Sequence, residues 1–390
     1  MSCSTPDIIS NLPCNVLENI LVCLTIQDAA RTSVLSRKWR YRWTTLPQLV
    51  FNDKFCRGSV VRATTDRLMK TIYKVLLLHQ GPLLKFTLSL ADLKSCPDID
   101  QLIFFVSKNG IREFKLHIQE GEPYKLPSTL FSCLQLEHLS LRSCVFKPPP
   151  RFKGFTRLVS LELDNVLIAG DVLSSLISSC LLLERLELRS STSLNYLEIV
   201  APNLKLLWVE GFSRAIGIRM ARLKVAVVLK GSRNQLGFNE GEISNSAMLL
   251  CSIPVVEGLA LDYPYVKCMA TSGIRERLPT TLDRLVYLKL QDVCFGEPDE
   301  VSTVRYFIRS SPNLKALHIR AFHSATAAID PVVELFDLEG WSDVSLNSLR
   351  FVRLREVSGT KVEMEFIRLL LAKSPMLETM RIKLKSKADL

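Results

Sequence analysis

Apolar residues near the N-terminus recur with helical spacing, and further along they recur two positions apart. Leu12 and Pro13 are followed by Val16, Leu17, Ile20, Leu21 and Leu24, the i, i+3, i+4 stripe of an amphipathic helix. Pro13 suits the first turn, where its missing N–H costs nothing. Thr25-Ile26 interrupts the stripe as a strand-like break, and Asp28 supplies a first-turn acid for a second helix. Ala29, Ala30, Val34 and Leu35 continue the apolar face, and Ser36 can cap a third short helix carrying Trp39 and Trp43 at i and i+4. Three short helices cannot enclose so many Leu, Ile and Trp side chains among themselves. A partner or the rest of the chain must cover some of them.

After Pro47, Leu49 to Phe55 reads as a strand, and Val60 to Leu78 as an amphipathic helix with Val61, Leu68, Ile72, Val75 and Leu76 on one face. This helix is placed to close the open end of the core that follows, and Gly81-Pro82 ends it. From there the pattern L-x-x-L-x-L repeats: Leu136-Leu139-Leu141, Leu158-Leu161-Leu163, Leu183-Leu186-Leu188 and Leu285-Leu288-Leu290. Looser copies begin at Ile111, Leu194, Leu204, Val256, Leu314, Leu349 and Leu377, making eleven in all. Many have an apolar or Cys residue three positions on, such as Cys144, Val166, Phe212, Val293, Phe322 and Val357. Period-two alternation makes each core a short strand. A helical run and a Pro-marked junction often precede it, as at Ser311-Pro312-Asn313-Leu314 and Ser374-Pro375-Met376-Leu377. These units predict an α/β chain: an irregular leucine-rich-repeat solenoid with parallel strands on its concave face and helices or loops outside. Residues 210–250 give turn signals, Gly231 to Asn234 and Gly237 to Gly241, and no repeat is placed there.

Three stretches carry a family resemblance. Leu12-Pro13, Val16-Leu17, Ile20-Leu21, Leu24, Asp28-Ala29-Ala30, Val34-Leu35-Ser36 and Trp39-Arg40-x-x-Trp43 resemble the F-box, with Thr25 where that motif usually has Pro. Leu349 to Gly359, a helix from about Val362 to Lys373, and Ser374 to Glu378 resemble the FBD segment. Together with the repeats, the chain is similar to plant F-box/FBD/leucine-rich-repeat proteins. The resemblance implies a three-helix F-box at residues 1–50, a linker and capping helix at 51–80, the solenoid at 81–344, and an FBD-like capping unit at 345–390. It also implies docking onto a Skp-type adaptor, and through it onto cullin and RING subunits of a ubiquitin ligase. The residues expected at the adaptor are Leu12, Pro13, Val16, Leu17, Ile20, Leu21, Leu24, Val34, Leu35 and Trp39, either in contact or bracing the docking helices.

Composition changes little in this picture. The 390 residues are 47% hydrophobic, which is globular, and no run of 18 apolar residues occurs. The N-terminus lacks the pattern of a signal peptide, and the final Lys387 to Leu390 only faintly resembles an ER-retention tail. Eleven dispersed cysteines with no C-x-x-C pair fit free thiols in a reducing compartment, so the expected location is cytoplasmic, nuclear or both. The net charge of +11 admits an acidic partner or nucleic acid. Arg37 to Trp43 mixes cations with aromatics, but it also fits a helix with its indoles inward and its cations solvated.

No Walker A loop, H-E-x-x-H, zinc spacing or G-x-S-x-G is present, and no metal or cofactor is implied. His117, His138 and His318 lie on repeat strands and read as surface or structural residues. The chain is therefore read as non-catalytic, positioning a protein target for a partner's chemistry. Strand alternation names the outward positions that would hold that target: Arg185, Glu187, Tyr196, Trp208, Tyr287, Lys289, His318, Arg320, Arg353 and Arg355. Trp208 either anchors a partner or, through a one-residue slip, faces the core with Leu206. The last rungs are basic, which suits an acidic or phosphorylated target or equally a solvated surface. Other readings are a repeat scaffold outside any ligase, a basic nucleic-acid-associated protein with the helices as a mere cap, or an F-box protein that sequesters the adaptor.

Overall fold

The computed structural model describes residues 12–56, 65–190, 197–210, 216–218, 226–230, 255–271, 281–322, 341, 344 and 346–385. They form two compact units that divide between Ile168 and Ala169. In the first unit, helix α1 (Cys14–Val22) buries Leu17 and Leu21, and Pro13 is its N-cap residue rather than part of its first turn. Thr25 caps helix α2 (Ile26–Arg31), its Oγ1 accepting from the Asp28 N–H at 3.2 Å and donating to the Asp28 carboxylate at 2.8 Å. The expected strand-like break is thus a helix cap. The expected third helix does not form. Residues 37–41 are turns, and a 3-10 helix spans Arg42–Thr45. The Trp39 N–H reaches back only to Ser36 O (3.1 Å) and the Arg42 N–H to Trp39 O (3.2 Å), both three residues away. These tight turns still bury Trp39 and Trp43 and leave Arg37, Lys38, Arg40 and Tyr41 exposed or half-exposed. The basic stretch accordingly presents cations without its indoles.

Strand β1 (Gln48–Asn52) stops short of Phe55 because Asp53 opens a one-turn helix, α3 (Asp53–Cys56). Helix α4 (Thr65–Leu78) buries Leu68, Met69, Ile72 and Leu76, and Val75 is half-buried; Val60 and Val61 lie outside the described residues. The sheet of this unit continues through β2 (Lys85–Ser89), β3 (Glu113–His117), β4 (His138–Arg142) and β5 (Ser160–Asp164), all parallel. Between β2 and β3 runs helix α5 (Asp98–Ser107). Leu49, Phe86, Phe114, Leu139 and Leu161 stand in one line of the register, and Phe51, Leu88, Leu116, Leu141 and Leu163 in a second. Every one of these ten is buried. The carbonyl before each strand fixes that register by accepting two successive N–H groups of the next rung, as Arg112 O does from Glu137 (2.8 Å) and His138 (3.0 Å). Leu46-Leu49-Phe51 and Leu83-Phe86-Leu88 are therefore two further copies of the repeat, with Phe in Leu places.

The second unit holds helix α6 (Gly170–Ser179) and parallel strands β6 (Arg185–Arg189), β7 (Leu206–Glu210), β8 (Ala226–Lys230) and β9 (Gly258–Leu261). Helix α7 (Tyr263–Thr271) follows, then β10 (Tyr287–Cys294), α8 (Pro298–Arg309), β11 (Ala316–Phe322), β12 (Phe351–Val357), α9 (Lys361–Lys373) and β13 (Thr379–Leu384), the strands again parallel. Strand β8 falls in the stretch where no repeat was expected. Lys224 stands where the first Leu of its motif would be, which hid it. The turn signals from Gly231 to Gly241, together with Leu194, Phe212 and Lys387 to Leu390, lie outside the described residues. Helix α9 starts with a reciprocal cap: the Thr360 side chain accepts from the Glu363 N–H, and buried Glu363 accepts from the Thr360 N–H at 2.9 Å.

One backbone device explains the apolar residue three places beyond the motif. Simple alternation would send that residue to the solvent side. Ser143, Asn165, Asp292 and Glu356 take φ of 51°, 51°, 60° and 57°, the left-handed region, at the exit of β4, β5, β10 and β12. Cys144, Val166, Val293 and Val357 each follow and are buried. The pairing register shifts at two of these exits, between Leu290 and Val293 and between Arg355 and Val357. The extra residue re-aims the chain inward, as a β-bulge does.

Cys14, Cys23, Cys96, Cys133, Cys144, Cys180 and Cys294 are in no disulfide. Burial pushes the Cys133 thiol up to about 11 and Cys144 to about 12, away from reactivity. Among the described residues no helix is long and apolar enough to cross a membrane. No group of three or more His, Cys, Asp or Glu there could hold a metal ion.

Candidate docking surfaces

The N-terminal helices divide the expected adaptor residues into two sets. Leu17, Leu21 and Trp39 are 2%, 0% and 2% exposed and form the inside of the module. Ile20 and Leu24, each 39% exposed, with Leu35 at 63% and Val34 at 87%, form the outside; Leu12 and Val16 are half-buried and Pro13 is exposed. Val34 and Leu35 owe their exposure to the 3-10 turn at Thr32–Val34, which lifts them off the face that α2 buries. The module is built into the first rungs: Gln48 Nε2 donates to Val22 O at 2.8 Å, and the Gln80 N–H to Thr44 O at 2.8 Å.

The second surface is the outward row of the strands. In the first unit it carries a relay across three rungs. His117 Nε2 lies 2.8 Å from Ser140 Oγ, which donates to the Glu162 carboxylate at 2.8 Å. Burial, with Lys115 and Arg142 beside it, holds the His117 imidazole down at about 4, so it is neutral at pH 7 and donates to the hydroxyl. The serine proton thus goes to the carboxylate and not to the imidazole, the reverse of a nucleophile activated by histidine.

In the second unit Glu187 is flanked by Arg189 at 2.7 Å and Arg185 at 3.3 Å on its own strand. Leu207 and Val209 are fully buried, so Trp208 and half-buried Leu206 lie on the opposite side of β7, which decides between the two registers. The Trp208 indole N–H donates to Glu210 at 3.1 Å, and the Arg189 guanidinium sits 5.0 Å from its ring centre. Tyr196 lies outside the described residues. Three rungs on, Tyr287, His318 and Phe351 form a line of aromatic rings, with centroids 5.0 Å and 5.3 Å apart. Tyr287 Oη bonds His318 Nδ1 at 3.1 Å. Burial, then Arg353, Lys289 and Arg355, hold His318 down at about 4. Arg353 and Arg381 lie 5.3 Å and 5.8 Å from the Phe351 ring centre. Tyr287, Lys289, His318, Arg320, Arg353 and Arg355 line a groove of about 340 Å³.

Two family models match this chain: an F-box domain over residues 9–50, and the At1g61320/AtMIF1 LRR domain over residues 75–389. F-box/FBD/LRR-repeat protein At1g13570 of Arabidopsis thaliana is 41% identical over 383 residues, covering 97% of this chain and 91% of the relative. The chain belongs to the F-box/FBD/LRR-repeat family. F-box/FBD/LRR-repeat protein At5g56420 is 28% identical over 81% of this chain and 78% of its own length, and FBD-associated F-box protein At5g38590 is 28% identical over 87% and 83%, both from Arabidopsis thaliana.

Within this F-box/FBD/LRR-repeat architecture, the exposed apolar set lies in the F-box and the aromatic–basic groove in the repeats. The His117–Ser140–Glu162 relay was not foreseen from the sequence because β3 was not carried into the outward row. Aligning Ile111-Phe114-Leu116 with the next two rungs places His117, Ser140 and Glu162 on adjacent strands. The left-handed exits were not foreseen either, since Ser, Asn, Asp and Glu share no single letter there.

Proposed function

We propose that this chain is the substrate-recognition subunit of a Skp–cullin–F-box ubiquitin ligase, non-catalytic itself, working in the cytoplasm or the nucleus. Residues 1–50 serve as the adaptor-docking module, 51–80 as linker and closing helix, 81–344 as the target-binding repeats and 345–390 as the FBD-like terminal unit. The observation that carries the reading is the exposed apolar set Ile20, Leu24, Val34 and Leu35 on a matched F-box. Val34 is 87% exposed, more than any other large aliphatic side chain among the described residues, and with Leu35 it presents apolar surface to solvent inside the matched F-box. Exposed apolar surface of this kind marks interaction sites. Leu17, Leu21 and Trp39 brace that face from within. The outward row, from Arg185 and Glu187 through Trp208 to Tyr287, Lys289, His318, Arg320, Arg353 and Arg355, holds the protein target, which the adaptor, cullin and RING subunits bring to the transfer site by proximity.

The test is a titration of a recombinant Skp-type adaptor against the full chain and its Val34→Asp, Leu35→Asp variant. Both positions are solvent-exposed, so the variant keeps its fold, and charge placed on a desolvated face should lower affinity at least a hundredfold. No adaptor binding by the unmodified chain defeats the reading. It would favour a repeat scaffold whose N-terminal helices only close one end.

A further inference from the structure

Several outward charges on the earlier rungs are paired within the fold. Arg142 pairs with Asp164 at 2.6 Å, Lys85 with Glu113 at 2.7 Å, and Glu187 with two arginines. On β10–β13 the pattern changes. Lys289, Arg320, Arg353, Arg355, Arg381 and Lys383 all stand on the outward face of four adjacent strands. The register sets like charges side by side: Arg320 beside Arg355, Arg353 beside Arg381, and Arg355 beside Lys383. Directly opposed like charges destabilise a sheet. Arg320 has Asp292 at 3.3 Å, and Glu356 lies at the groove's rim. Among the described residues no carboxylate forms an ion pair with Arg353, Arg355 or Lys383. A cluster of this kind is suited to an anion supplied from outside the fold.

The shape narrows the anion. Lys289, Arg320, Arg353, Arg355 and Lys383 line a groove of about 340 Å³ together with Tyr287 and His318, and the Phe351 ring continues that aromatic line 5.3 Å from His318. A lone carboxylate brings one charge and two oxygens to that groove. A phosphate monoester brings nearly two charges and three acceptor oxygens at one point, and guanidinium forks bind it bidentately. A nucleic-acid backbone needs a long basic stripe, whereas on earlier rungs Lys85, Arg142, Arg185 and Arg189 are each paired with a carboxylate. Tyr287 in the groove and Phe351 further along the ring line offer apolar contact for the residue carrying the phosphate and its neighbours.

We propose that the β10–β13 face binds a phosphorylated serine or threonine of the protein target, with Arg353, Arg355 and Lys383 holding the phosphate and Phe351 and Tyr287 holding the adjoining side chain. This deepens the receptor reading and rests on it for the identification of the bound molecule as a target. Phosphorylation then acts as the signal for capture, since the unmodified hydroxyl leaves the cations unneutralised.

The experiment immobilises the full chain and presents three oriented peptide libraries, identical except for phosphoserine, serine or glutamate at the fixed position. The expected result is at least tenfold greater retention of the phosphoserine library than of either other library. Competition by millimolar inorganic phosphate and loss in Arg353→Glu, Arg355→Glu should accompany it. The milder Arg355→Gln, Lys383→Gln variant, with a melting temperature no lower than the parent's, should show the same loss. Equal retention of serine and phosphoserine libraries overturns the proposal. Equal retention of the glutamate library assigns the face to acidic peptides and overturns it too, as does preferential binding of a single-stranded oligonucleotide. Adaptor affinity, measured on the same variants, should not change. Phosphopeptide capture without adaptor binding defeats the receptor reading alone, and adaptor binding without phosphopeptide preference defeats the phosphate site alone.

Discussion

Replacing Gly81 with alanine is expected to destabilise the first unit, against the usual direction of that substitution. Gly81 does not occupy the left-handed region, so alanine can adopt its backbone conformation. At such sites Gly→Ala ordinarily stabilises by about 0.4–1 kcal/mol through the unfolded chain. Here a Cβ would stand 2.6 Å from the Thr45 carbonyl oxygen, 2.8 Å from Thr45 Cα and 2.9 Å from its carbonyl carbon. All three are backbone atoms and cannot rotate aside. Relief requires moving the 44–46 segment, which is tied by the Gln80 N–H to Thr44 O at 2.8 Å and by His79 Nε2 to Leu46 O at 2.9 Å. Overpacking of this kind costs about 1–3 kcal/mol, and the backbone obstacle puts this site in the upper half of that range, leaving a net loss of about 1–2.6 kcal/mol after the entropic gain. Urea unfolding followed by tryptophan fluorescence reads it, because Trp39 and Trp43 are buried just before this contact. An unchanged or higher midpoint would refute the steric argument. Gly110 is the control: its φ is +64° and nothing lies within 4 Å of its would-be Cβ, so Gly110→Ala should lose about 1 kcal/mol from backbone strain and Gly110→Asn distinctly less.

Two other predictions address the sheet. Asn165→Val, which forces a β-branched residue to φ 51°, should lower stability by about 1–2 kcal/mol, while Asn165→Gly stays within about 0.5 kcal/mol of the parent; equal thermal midpoints for the two would remove the bulge from the account. His117 titrates at about 4 when folded and near 6.5 when unfolded, so between those values the unfolded chain binds the extra proton. Stability is therefore full above pH 6.5, falls as pH drops toward 4 and levels off below it. The His117 contribution to that fall is at most about 3 kcal/mol, and His117→Gln should flatten this part of the profile. An identical pH profile for His117→Gln would show that the buried imidazole is not its source.

The repeats were legible because their signal is redundant. Leu139, Leu161, Leu186 and Leu288 each occupy the same register place, and a period-two pattern anchored by Leu three residues earlier fits little besides a repeat strand. Three rungs were missed as repeats: β8, with charged Lys224 in a Leu place, β2, with Phe86, and β1, read as a strand but not as a repeat, with Phe51. Apolar replacements such as Phe114 and Val352 did not hide theirs. Near Trp39 and Trp43 helical spacing misled, because i and i+4 residues also reach one side of successive three-residue turns. The outer and inner halves of the F-box stripe could not be told apart from spacing. Ile20 and Leu21 are neighbours in sequence, yet one is 39% exposed and the other fully buried. The basic end of the row was readable as composition. Its like-charge pairing, Arg353 beside Arg381 and Arg355 beside Lys383, needed the strand register.

The measurement that tests the receptor assignment most directly is reconstitution of the full chain with a Skp-type adaptor, a cullin and a RING subunit, read by sedimentation. The account predicts a single complex containing all four, lost in Val34→Asp, Leu35→Asp, whose exposed positions leave the fold intact. A chain that binds the adaptor but excludes the cullin would contradict it, and would make this protein a sequestering F-box protein rather than a ligase receptor.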